Sequence, residues 1–163
     1  MKARHILYVD KRDKHASYWN NHIQIALMPE FTSDFCANFD LFADKIVDDN
    51  FKDNKKEKYS ALITHLPYEP GYVTGAFSEF KGERFFEMAY ETSARLVRGI
   101  KTKHPDLPIL LYSGIWFPGV HDKETEMVEK FLEGLRISAH VFKSNDVTYD
   151  AMSIKSKLIK IVR

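Results

Sequence analysis

The sequence predicts an α/β fold: a flavodoxin-like, doubly wound five-stranded parallel sheet in a three-layer α/β/α sandwich. Three observations predict it. Five short apolar runs rich in strand formers alternate with stretches of helical period. Those runs are apolar on both faces, as strands covered by helices on each side must be. The chain has 163 residues, a length for one domain by the usual prior of roughly 100–200 residues.

Each element has a local reason. Ile6-Leu7-Tyr8-Val9 reads as the first strand, stopped by the polar stretch Asp10 to Lys14. Ala16, Trp19, Ile23, Ala26 and Leu27 recur at helical spacing until Pro29 closes the segment. A weaker strand is expected near 33–39, and Phe39, Phe42, Ala43, Ile46 and Val47 predict a second short helix. Residues 48–58 are charged and read as a solvated connection. Tyr59 to Leu66 is the clearest buried strand, and Pro67, Pro70, Gly71 and Gly75 follow it in a long loop. A third helix carries Phe86, Ala89, Tyr90, Ser93, Val97 and Ile100 and ends before His104-Pro105. Pro108 to Tyr112 is the fourth strand. Met127, Val128, Phe131, Leu132 and Leu135 mark a fourth helix, weakened near its end by Gly134. Ser138 to Phe142 is the fifth strand, and Ala151, Ile154, Leu158 and Ile161 mark the last helix.

Composition narrows the function classes. Lys and Arg total 24 against 23 Asp and Glu, so the formal charge is only +1. That argues against a nucleic-acid binder, which carries a basic excess. Lysines do cluster at 52–58 and along the last helix, but with little aromatic interleaving, so they read as solvated faces. The single cysteine, Cys36, excludes an internal disulfide and a CxxC zinc site, and its apolar surroundings predict a buried small hydrophobe. No apolar run approaches the roughly 18 residues of a membrane span. The start, Met1 to His5, is basic but does not lead into a signal peptide, so a cytoplasmic protein is expected.

In doubly wound sheets ligands sit beyond the C-terminal strand ends. Those ends supply Asp10 and Asp13 at the first strand, Thr64 or His65 at the third, Ser113 with Gly114 at the fourth, and Lys143 at the fifth. An acid, a hydroxyl and a lysine on these strands form a set that resembles the receiver domain of two-component response regulators. The strings that carry the resemblance are HILYVD, YSALITHLP, HPDLPILLYSG and HVFKS, of which the third is the most specific. The resemblance runs from about His5 to Ile161, with enlarged loops near 48–58 and 67–81 in a single receiver-like domain over 1–163.

In that family two acids after the first strand hold magnesium, an aspartate after the third accepts phosphate, and the hydroxyl and lysine read the phosphoryl group. Aligned by string, the acid pair falls on Asp10 and Lys11, the acceptor on His65, the hydroxyl on Ser113 and the lysine on Lys143. The position three before that lysine, often aromatic in the family, is His140. Lys11 removes an oxygen ligand and brings a cation where a hard ion wants oxygens. His65 cannot form an acyl phosphate. Ser144 follows the lysine where the family usually has proline. The resemblance therefore implies a degenerate pseudo-receiver with a vestigial phosphorylation pocket made of Asp10, Lys11, Asp13, His65, Ser113 and Lys143.

Weighed residue by residue, Asp10 is expected to form an ion pair with Lys143 or Lys11 rather than join Asp13 and His65 around a transition metal. No cofactor is expected, since no glycine-rich phosphate loop follows the first strand, and no G-x-S-x-G elbow is present. Ile115, Trp116 and Phe117 lie beside the pocket and either anchor a partner or fold back to fill it. The loop 68–80, with Tyr72 and Phe77, is either a lid, a docking arm or a packed surface loop.

The expected function is a stand-alone signalling module that works through a protein partner or a homodimer, not an enzyme, with 163 residues leaving no room for an output domain. The family's pairing surface, the fourth helix, fifth strand and fifth helix, corresponds here to His121–Arg163. The alternative is a small enzyme, or a metal- or ligand-binding protein, that reuses the strand-end pocket.

Overall fold

The structure, a computed structural model, describes residues 4–10, 17–36, 52–53, 56–57, 59–64, 91–113 and 129–162. Strands β1 (Arg4–Val9), β2 (Phe31–Cys36), β5 (Ala61–Thr64), β6 (Ile109–Ser113) and β7 (Ala139–Phe142) form one sheet in the order β2-β1-β5-β6-β7. All four pairings are parallel. This is the predicted five-stranded doubly wound sheet. The chain enters at β1, goes outward to β2, then returns across β1 to β5, which puts the topological switch between β1 and β5.

Alternation along the strands divides the core in two. Leu7, Val9, Leu62, Ile109 and Leu111 face one way. They meet Ala94, Val97 and Ile100 of α2 (Glu91–Lys103) and Phe131 and Leu132 of a helical stretch at 129–134, here α3. Ile6, Tyr8, Ile63, Leu110, Tyr112 and Val141 face the other way. There they meet α1 (Gln24–Leu27), which continues a π-helical turn at Trp19–Ile23, and α4 (Val147–Ile161). Strands buried on both sides are why their sequence is apolar without alternation.

Several boundaries differ from the sequence expectation. The second strand begins at Phe31, two residues before the expected start, because its pairing with β1 runs from Arg4↔Phe31 to Val9↔Cys36. The expected plain connection at 48–58 holds a two-residue antiparallel pairing of β3 (Lys52–Asp53) with β4 (Lys56–Glu57). The last helix starts four residues earlier than its apolar stripe, because the Asp146 side chain accepts from Thr148 and Tyr149 backbone N–H groups and caps it. Gly134 lies inside the α3 helical stretch, and the left-handed residue that ends it is Arg136, with φ 58°. Arg136 N–H donates to Glu133 O at 2.8 Å and Ile137 N–H to Leu132 O at 3.0 Å. That is a Schellman closure with arginine in the place that favours glycine.

Cys36 is buried, as expected. Among the described residues no helix is long and apolar enough to cross a membrane. The expected helix at 39–47 and the loop at 68–80 lie outside the described residues.

Candidate functional site

Asp10 follows β1 directly, and its backbone N–H continues the sheet by donating to Cys36 O at 3.0 Å. Tyr8 lies two residues before it, so both side chains leave the same face of the strand. The Tyr8 phenol donates to Asp10 Oδ2 at 2.6 Å. Its ring stacks on Trp19, with centroids 4.0 Å apart and planes 13° apart. Trp19 is held in turn by Nε1–H donation to Ser33 Oγ at 2.7 Å. Asp10 is only 1% exposed.

The expected ion pair with Lys143 is present, Nζ to Asp10 Oδ2 at 3.8 Å. The same ammonium stands 4.8 Å from the centroid of the Tyr112 ring, within cation–π range. Lys143 thus bridges the ends of β1 and β6 from the end of β7. Thr64, at the end of β5, is buried beside them in the sheet.

A second acid holds the loop after Lys143. Asp150, in the first turn of α4, is fully buried. Its Oδ2 accepts the Tyr112 phenol at 3.0 Å. Both its oxygens accept the Ser144 backbone N–H at 3.1 Å, and Oδ1 accepts the Ser144 hydroxyl at 2.7 Å. The serine in the usual proline position now has a physical reason, since proline has no N–H to give. The Lys143–Ser144 peptide is trans.

The two phenols are locked as donors. Burial, then the charge and hydrogen bond of Asp10, pushes the Tyr8 hydroxyl far above the usual phenol range. Burial, then hydrogen bonding with Tyr18, then Asp150, does the same to Tyr112. Neither ionises at ordinary pH.

His140 lies half-buried on β7, with its ring centroid 4.9 Å from that of the exposed Phe142. Burial, then Lys157, lowers its imidazole below the ordinary range, while Glu129 pulls the other way.

Among the described residues no group of three or more His, Cys, Asp and Glu side chains is placed to hold a metal ion. Lys11, Asp13, His65, Ile115, Trp116 and Phe117 lie outside the described residues, and of Ser113 only the backbone, at the end of β6, is described. The structure thus joins Asp10 to Lys143. It adds Tyr8, Tyr112, Ser144 and Asp150, which the sequence reading had not assigned to the site. Signals for two of them existed. Tyr8 shares the parity of Asp10, and Asp150 lies one turn before Ile154 on the buried stripe of α4.

A cleft among the described residues opens elsewhere, at the sheet end where β5 and β6 begin. Tyr59, Ser60, His104, Leu107, Pro108 and Val162 line it. It does not include the strand-end acid or lysine.

No family model matches the chain and no curated protein matches it. Solved structures do. The N-terminal signal receiver domain of a two-component response regulator from Bacteroides fragilis superposes with a TM-score of 0.55 at 11% identity, over 99% of this chain and 98% of that one. A CheY-like response regulator receiver domain protein from Methanospirillum hungatei JF-1 gives 0.56 at 11% identity, over 98% and 96%. A structure described as adenylate cyclase from Rhodopirellula baltica gives 0.54 at 15% identity, over 98% and 90%. At such identities the likeness is one of fold, and the fold of this chain is that of the response-regulator receiver domain.

Proposed function

We propose that this protein is a receiver-like signalling module, one domain over 1–163, that acts in the cytoplasm by protein–protein contact without aspartyl phosphorylation. The observation that carries this reading is the state of Asp10. Its carboxylate is buried, bonded by Tyr8 at 2.6 Å and paired with Lys143 at 3.8 Å. A magnesium ion asks for several oxygens in near-octahedral order and keeps part of its water. Lys11 at the second acid position and His65 at the acceptor position supply neither a second oxygen nor an acyl phosphate. The residues therefore do not fit a receiver's magnesium site.

The surface assigned to partners is the face of α3, β7 and α4, where Phe142 is exposed beside His140. Exposed aromatic groups of this kind anchor protein interfaces. Ile115, Trp116 and Phe117 remain candidates for the same role on sequence grounds. For the alternative of an enzyme or metal site, the cleft at the far end of the sheet offers no help to the strand-end pocket.

Incubation with acetyl phosphate and magnesium, followed by intact mass, tests the reading. The expected result is an unchanged mass. A stable or hydroxylamine-sensitive phosphoryl adduct overturns it.

A further inference from the structure

Five large apolar side chains, Ile25, Met28, Tyr149, Met152 and Ile159, stand between 52% and 64% exposed. Three are on α4. With Ser156 between them, positions 149, 152, 156 and 159 keep a 3-4-3 spacing, the seam of a helix that packs lengthwise on another helix. The buried side of α4 is separate and consists of Asp150, Ala151, Ile154 and Leu158. The seam is a second apolar face of the same helix.

Ile25 and Met28 extend that face. Lys155 Nζ donates to Ala26 O at 3.2 Å and pairs with Glu30 at 2.8 Å, which fastens the end of α1 along one flank of α4. Ile159 is one turn beyond Lys155 on that flank. The opposite flank, toward β7, carries Lys157, whose charge reaches His140.

We propose that this face, the outer seam of α4 with the adjoining end of α1, is a two-fold interface that pairs two copies of the chain with their α4 helices antiparallel. The inference rests on the reading of contact-based function and names the partner as a second copy. Three features select that occupant. An antiparallel two-fold sets Tyr149 against the Ile159 of the other copy and Met152 against Ser156, large against large at the ends and large against small in the middle. It also sets the Asp146 end of one helix beside the Lys160 end of the other, with opposed helix dipoles. A parallel pairing would instead put the lysines together. Finally, five side chains more than half exposed amount to apolar surface on the order of 500 Å², near the top of what monomers leave uncovered. With a polar rim that approaches the roughly 800 Å² per partner of a standard interface. The same axis brings α1 over α1, so Ile25 and Met28 are covered as well.

Sedimentation velocity of the 163-residue chain between about 1 and 100 µM tests this. The expected result is a concentration-dependent monomer–dimer equilibrium. Met152→Lys and Ile159→Glu should each raise the dissociation constant at least roughly tenfold, with urea midpoints unchanged at protein concentrations where the parent is monomeric, because both side chains are exposed in the single chain. Phe142→Ser, on the β7 side, should leave the dimer intact. A monomer across the range overturns the proposal, whether another protein or another part of the chain covers the face. A dimer that survives Met152→Lys and Ile159→Glu but is lost with Phe142→Ser also overturns it. Neither result bears on phosphorylation, which the mass measurement decides separately.

Discussion

Replacing Ser144 by proline restores the residue most familiar after the lysine of a receiver fold, and here it should be harmful. In this chain the Ser144 backbone N–H and hydroxyl both donate to the buried Asp150 carboxylate, at 3.1 and 2.7 Å. Proline removes both donors and leaves Asp150 with the Tyr112 phenol at 3.0 Å. Hydrogen bonds to a charged group contribute about 1.5–3 kcal/mol each, and two on one acceptor are less than additive. Against this, proline lowers the entropy of the unfolded chain by about 0.4–1 kcal/mol. The balance is a loss of about 2–4 kcal/mol.

Urea unfolding followed by tryptophan fluorescence reads that loss as a lower midpoint at constant m. In thermal unfolding it corresponds to a fall of roughly 5–15 °C for a chain of this size. Ser144→Ala separates the two donors. It removes only the hydroxyl and should cost about half as much, roughly 1–2 kcal/mol. If Ser144→Pro is as stable as the parent, or more so, the assignment of Asp150 as the clamp on the Lys143 loop is wrong.

Three further outcomes are expected. Tyr8→Phe deletes the 2.6 Å bond to buried Asp10 and should lower stability by about 1.5–3 kcal/mol, read from the urea midpoint; an unchanged midpoint would show that Asp10 does not need the phenol. Arg136→Gly relieves a left-handed arginine at φ 58°, a conformation that costs about 1–2 kcal/mol without glycine, partly offset by the roughly 0.5–1 kcal/mol entropy cost of glycine. The midpoint should therefore rise slightly, and a fall would count against the Schellman reading. His140 has its imidazole lowered by burial and then by Lys157, so the unfolded chain takes up the proton first as pH falls. Wild-type stability should be full above the ordinary value of about 6.5 and decline below it. His140→Gln should flatten that decline between pH 7 and pH 5, and a wild-type-to-variant difference that stays constant with pH would refute it.

Much of this molecule follows from local sequence. Five apolar runs between helical stripes predict the parallel sheet because strands covered on both sides must be apolar on both sides. The β2-β1-β5-β6-β7 order then places Asp10 and Lys143 within reach, as the strand-end positions imply. The edges of elements were less legible. The start of α4 is fixed by the Asp146 cap rather than by its apolar stripe, and the end of α3 by a left-handed arginine that no sequence rule favours.

The site itself divides along the same line. The sequence by itself determined which residues lie at the strand ends, because a strand's length and parity place them there without reference to the rest of the chain. Only the tertiary structure decided what those residues touch. Tyr112 and Asp150 are 38 positions apart, yet they share a buried hydrogen bond. In the sequence Asp150 is one acid among 23 acidic residues. Once the sheet and α4 close over it, it must find donors, since a buried charge without them is too costly to keep. Tyr112 and Ser144 are the donors it finds, and through them the fold fixes the loop that carries Lys143 to Asp10.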